Sequence, residues 1–211
     1  MFVAPVDATL GEQEWRAFVD AHPFGHLVAR GGPDRAFPVV VPTQFVLAGT
    51  TVWLHLVRAN PVFGALSEDP RVVLSVADDW AFVPSAWKAI GAENPASGIP
   101  TTYYGAVQLS GEARVHDERV APGSVAEILR RQLATFQPEV PVADPAEVHA
   151  AKLLGILGIE IRVSRVHAKF KYGGNVDAAH RRAVEARLNE RGGPGDDAAA
   201  DHVLRRLEAD E

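Results

Sequence analysis

Arg58-Ala59-Asn60-Pro61 combines residue types suited to holding an anion. The tetrapeptide follows an apolar, strand-like run and precedes Phe63, Leu66 and Ser67. Asn60 is therefore placed to cap a short helix and Pro61 to occupy its first turn. A helix start presents backbone N–H groups and the positive end of a dipole to an anion. Arg58 on the same side would add a planar fork for phosphate. Ordinary capping beside a surface arginine explains the same residues, because every helix has a start. Further along, Arg165, His167, Lys169 and Lys171 alternate with Val166, Ala168, Phe170 and Tyr172. In an extended chain this sets a basic row opposite an apolar one. Such a row could hold a phosphate or an acidic partner surface, or protect an edge strand with lysine.

The stretch from Val83 to Gly111 is richer in shape than in charge. Val83-Pro84-Ser85-Ala86-Trp87-Lys88 opens a segment of Gly, Pro, Ala and Asn, and Ile99-Pro100-Thr101-Thr102-Tyr103-Tyr104-Gly105 closes it. Pro100 biases Ile99 to extended geometry, and Gly105 permits close approach of a backbone or a flat ligand. Trp87 and the tyrosines offer stacking surface, while Ser85, Thr101 and Thr102 offer hydroxyls. Together they could line a pocket for an aromatic ligand with polar edges, or seal the core under a loop. His22, His26 and His55 make no metal set. No H-E-x-x-H, G-x-S-x-G, P-loop or Rossmann glycine pattern occurs, and no helix-turn-helix is evident.

The elements that must position these residues follow from periodicity. Thr9 and Glu12 have capping-box spacing, so a first helix runs from there to His22-Pro23. Strands are expected at Phe24 to Arg30, Phe37 to Leu47 and Thr51 to Val57, with a hairpin turn at Ala48-Gly49-Thr50. Val72 to Val76 reads as a strand buried on both faces. Ala106 to His116 alternates with period two as a half-buried strand. Val125 to Phe136 follows a helical period, and Gln137 to Asp144 is a proline-broken connection. Asp144, Pro145 and Glu147 start a helix that ends at Gly155. Leu157 to Val163 is a strand with an extended continuation to Tyr172. Gly173-Gly174 breaks it, Asn175 caps a helix to Arg191, and a last short helix carries Val203, Leu204 and Leu207. Residues 1–172 are expected to form the main domain and 173–211 a helical appendage. Strands first, then helices mixed with late strands, give an α+β antiparallel barrel or sheet with helices around it.

Composition narrows the function classes. The 211 residues contain no cysteine, which removes disulfides, thiolate zinc sites and thiol catalysis. A net charge of −6 argues against a chain-wide basic field for nucleic acid, so direct DNA binding has no support here. No apolar run approaches the roughly 20 residues of a membrane span, and residues 1–9 lack the pattern of a secretory signal. A cytoplasmic protein is the expectation.

Several segments in order resemble the PaiB-type family of FMN-binding negative transcriptional regulators. They are Ala21-His22-Pro23-Phe24-Gly25, Val41-Pro42, Leu56-Val57-Arg58-Ala59-Asn60-Pro61, Pro84-Ser85-Ala86-Trp87, Ile99-Pro100-Thr101-Thr102-Tyr103-Tyr104, Gly155 to Ile161, and Lys169-Phe170-Lys171 to Asn175. The resemblance implies a split antiparallel β-barrel with surrounding helices, flavin-reductase-like, and a cytoplasmic homodimer with FMN at its interface. It places the phosphate at the helix beginning with Asn60 and Pro61, with Arg58 and Lys171 or Lys169. The isoalloxazine would then lie against Ser85, Trp87, Thr101, Thr102 and Tyr103. No side chain stands out as a catalytic acid, base or nucleophile. The family's Thr-Trp-Asn-Tyr reads Thr101-Thr102-Tyr103-Tyr104 here, which leaves a flavin-free binding protein on the same scaffold as one alternative. An FMN-dependent oxidoreductase is another.

Overall fold

The computed structural model describes residues 1–141 and 143–210. Val142, inside the expected connection from Gln137 to Asp144, lies outside the described residues, as does Glu211. Among the described residues, alternating burial builds seven strands: Phe24–Ala29 (β1), Val39–Gln44 (β2), Val46–Ala48 (β3), Thr51–Val57 (β4), Arg71–Val83 (β5), Thr101–His116 (β6) and Ile156–Lys171 (β7). They form one sheet in the order β2-β1-β5-β6-β7-β4-β3. The pairings of β1 with β2 and β5, and of β4 with β3 and β7, are antiparallel. The helices are Glu12–Ala21 (α1), Val62–Glu68 (α2), Ser124–Phe136 (α3), the short Pro145–Val148 (α4) and Ala150–Leu153 (α5), Ala178–Arg191 (α6) and Asp196–Glu208 (α7). The chain is α+β, as expected. β7 pairs with β4 from Ile156 to Arg162, so the basic row from Arg165 to Lys171 lies beyond that pairing, where Ala8 forms an isolated bridge to Lys169.

Several local expectations are corrected. The strand expected from Phe37 to Leu47 breaks at Phe45. There the chain changes partner, from β1 (Gln44 opposite Phe24) to β4 (Val46 opposite Trp53), and the Phe45 N–H donates to the Pro23 carbonyl at 3.0 Å. β5 is longer than expected and buries alternate residues rather than both faces. The helix expected from Asp144 to Gly155 divides at His149, whose φ of −130° and ψ of 18° leave helical geometry. Gly173, at φ +81°, opens a turn that delays the next helix, so Asp177 rather than Asn175 caps α6. Glu14, not Glu12, answers Thr9 at the start of α1. Its carboxylate accepts from Thr9 Oγ1 at 2.9 Å and from the Leu10 N–H at 2.6 Å.

Contacts divide the chain into two compact units, Met1–Phe18 with Ala77–Val107 and His167–Glu211, and Val19–Val76 with Gln108–Val166. In the first, Phe18 meets Phe170 edge to face at 5.4 Å, and Tyr172 stacks on His202 at 4.3 Å. In the second, Val125, Ala126 and Leu153 form a buried cluster covered by Leu129, Ala146 and Ile156.

One buried ion pair ties the first unit together. Arg206 Nη2 meets both Glu14 oxygens at 3.0 and 3.1 Å, and Nη1 donates to the Ala8 carbonyl at 2.7 Å. Both side chains are more than nine-tenths buried, at 7% and 9% exposure. Removing one partner strands a charge away from water. Glu14→Ala should therefore cost about 3–5 kcal/mol in urea denaturation. Glu12→Ala loses only an exposed pair with Arg16 and should cost no more than about 0.5 kcal/mol.

Candidate functional site

In the first unit, the start of β6, the end of β7 and the 3₁₀ turn Ser85–Lys88 carry most of the residues singled out above. Lys171 Nζ donates to Thr101 Oγ1 at 2.6 Å. Lys88 Nζ stands 5.7 Å from the centre of the Tyr103 ring. Partial burial pushes the Lys88 ammonium below its ordinary range, and the nearby charge of Lys171 pushes it further. Among the described residues neither lysine has a carboxylate partner. The arrangement is an electropositive spot with a hydroxyl beside it, suited to a phosphate or carboxylate. Lys169 is different. Its Nζ lies 3.5 Å from Asp7, within 6 Å of the Phe2 and Tyr104 ring centres, and 3.4 Å from the Phe2 carbonyl. Lys169 thus pins the N-terminal segment to β7.

Tyr103 is not a surface wall. It is 1% exposed and meets Tyr172 edge to face at 6.0 Å. Its hydroxyl is buried without a hydrogen-bond partner, and burial pushes its pKa up to about 12. The half-buried Thr101 and Thr102 keep accessible surface, as does Ser85. Trp87 has the Arg191 guanidinium over its ring at 4.5 Å. Arg191 is itself held by Asp196 at 2.7 and 2.5 Å and donates to the Phe82 carbonyl at 2.9 Å. A cavity of about 410 Å³ opens beside Lys88, lined also by Ile99, Asn175, Val176, Asp177 and His180.

Arg58 and Asn60 belong to the second unit. Asn60 Oδ1 accepts from the Val62 N–H at 2.9 Å, so it caps α2 as its residue type suggests. Arg58 is committed within the protein. Nη1 and Nη2 donate to the two Asp117 oxygens at 2.6 and 2.7 Å, and Nε donates to the Leu154 carbonyl at 2.9 Å. The Arg58 guanidinium, with help from the Arg119 N–H, pulls the Asp117 pKa down to about 2.

Residues 1–165 match the family described as "Putative FMN-binding domain". The chain belongs to that family. No curated protein matches it. Solved structures do. A flavocytochrome from Azotobacter vinelandii aligns with a TM-score of 0.58 at 24% identity, over 83% of this chain and 74% of that one. A FAD- and heme-binding protein from Mycobacterium smegmatis gives 0.58 at 17%, over 83% and 78%. A conserved hypothetical protein from Mycobacterium tuberculosis gives 0.57 at 16%, over 84% and 94%. At these identities the likeness is one of fold, and it agrees with the split-barrel class expected from the sequence.

Sequence reasoning missed Lys88 as a cation beside Lys171, and Asp117 as the partner of Arg58. Lys88 closes the Pro84 to Trp87 segment but carries no motif of its own. Asp117 is 59 positions from Arg58, beyond the reach of any local pattern. The Asp117 pair has a pH signature. A carboxyl held below its ordinary value of 3.8 contributes stability above that value and loses it as pH falls toward about 2. Asp117→Asn should lower the melting temperature at pH 7, and the gap from wild type should close as pH drops from about 4 to about 2.

Proposed function

We propose that this protein binds FMN as a PaiB-type member of its family, with Lys171, Lys88 and Thr101 Oγ1 receiving the phosphate. The observation that carries this reading is the lysine pair without a carboxylate. Two ammonium groups near enough to repel each other are relieved by an anion, and an FMN phosphate brings close to two negative charges. Thr101 Oγ1 already accepts from Lys171, so its own proton is available to a phosphate oxygen. The donor set thus fits the anionic end of the cofactor. Half-buried Ser85 and Thr102 supply hydroxyls for the polar edge of the isoalloxazine. Trp87, fixed under Arg191, supplies an aromatic surface.

Bound FMN would supply the redox chemistry of its ring, while the protein orients it and sets its electrostatic surroundings. Arg58 contributes indirectly in this reading. Its pair with Asp117 and its bond to Leu154 hold the turn before Asn60, and Asn60 holds the start of α2. Lys169 anchors the N-terminal segment. A cytoplasmic homodimer with the flavin at its interface and a regulatory role complete the proposal. Those parts rest on the ordered motifs shared with the PaiB-type proteins.

Titrating FMN into the purified protein, with flavin fluorescence and the visible spectrum as readouts, tests the reading. Saturable binding is expected, with Arg58→Ala changing the dissociation constant less than about threefold, under 1 kcal/mol. No saturation would overturn the reading and favour the flavin-free alternative. Turnover of NADH or NADPH by the flavin-loaded protein would extend it to an oxidoreductase.

A further inference from the structure

The cavity beside Lys88 has an unusual rim. His180, on the first turn of α6, faces a carboxylate at each ring nitrogen. Nδ1 lies 2.8 Å from Asp177 Oδ2, and Nε2 lies 3.0 Å from Glu93 Oε2. Asp177 is three residues away and also caps the helix by accepting the His180 N–H at 3.0 Å. Glu93 is 87 residues away, on the exposed loop that follows Ala89. That carboxylate also accepts the Ile90 N–H at 3.0 Å, which folds the loop onto it. Ile99, from the far end of the same loop, lines the cavity together with Asp177 and His180.

We propose that His180 is a proton-operated latch that holds the loop from Ala89 to Pro100 against α6, across the mouth of the cavity beside Lys88. A neutral imidazole has one N–H and one lone pair, whereas an ionised carboxylate only accepts. Both contacts of His180 are therefore hydrogen bonds only in the imidazolium. Loss of the proton sets a ring lone pair against a carboxylate oxygen on one side. Asp177 is held by the helix it caps, so the contact that gives way is Glu93. Glu93–His180 is an ion pair between this loop and α6, so its loss loosens the loop at Glu93, while Gly98 stays packed against Ser85 and Lys88.

The charged groups around the ring are Asp177 from the helix start, Glu93 from the loop and Lys88 from the 3₁₀ turn, with Lys171 of β7 behind Lys88. The two carboxylates, Asp177 first and Glu93 second, raise the imidazole above its ordinary value. A raised folded value means that the latch is closed below about 6.5, as long as Glu93 and Asp177 remain ionised, and opens as pH rises through that value. The identity of what the cavity admits rests on the flavin reading. The latch itself does not, and it can be tested without flavin.

Hydrogen–deuterium exchange of the ligand-free protein, corrected for the intrinsic pH dependence of exchange, reads the loop directly. Peptides covering Ile90 to Ile99 should be protected at pH 5.5 and lose that protection at pH 9. His180→Ala should remove the protection at both values. Equal protection of the wild type at both pH values, or a pH step that survives in His180→Ala, would overturn the proposal. Should His180→Ala fail to fold, NMR titration of the His180 ring decides. Glu93→Gln should return its pKa toward the ordinary value, and an unmoved pKa would overturn the latch.

Discussion

A cation drawn out of water needs a compensating negative charge, and this fold supplies one to most of the cations it orders. Arg206 has Glu14, Arg191 has Asp196, Arg58 has Asp117 and Lys169 has Asp7. Each pair fastens one segment to another. Lys88 and Lys171 stand outside that pattern. They repel each other, and Lys171 has a hydroxyl in place of a carboxylate. Stability alone gives no reason to set two ammonium groups together. The proposed function supplies one in an anion that arrives from solution.

The aromatic packing behind the lysines fixes where they point. Tyr172 is fully buried, stacks on His202 and donates its hydroxyl to the Asp79 carbonyl at 3.0 Å. His202 Nε2 meets the Asp79 carboxylate at 2.9 Å. Asp79 has φ of 52°, a left-handed geometry that side chains other than glycine rarely adopt. With Tyr172 turned inward, strand alternation turns Lys171 to the opposite side. Gly173 completes the arrangement, because a Cβ there would run into the Tyr103 hydroxyl. The sequence Lys171-Tyr172-Gly173 thus serves packing and charge placement at once.

Period-two and helical patterns made most of the sheet and helices legible, because burial of alternate residues is a local signal. The misreadings fell where a distant group decides. Phe45 ends β2 because the chain changes strand partner there. Glu14 displaces Glu12 because Arg206, from the last helix, needs its carboxylate. The candidate site divides along the same line. Asn60 caps its helix through a contact two residues away, and its role could be read directly. The pairing of Arg58 with Asp117 could not be read, because the two residues are remote in sequence. The burial of Tyr103 could not be read, because its residue type does not say which way it faces. Of the lysine pair central to the proposed site, Lys171 stood out in the alternating basic row, while Lys88 left no signature in spacing.

The most direct measurement compares FMN with riboflavin, which lacks the phosphate, in wild type and in the double variant Lys88→Met/Lys171→Met. If the lysine pair receives the phosphate, wild type prefers FMN, and the double variant loses about 1.5–3 kcal/mol of that preference while binding riboflavin unchanged. A variant that keeps the full preference for FMN would contradict the assignment and move the phosphate elsewhere in the fold.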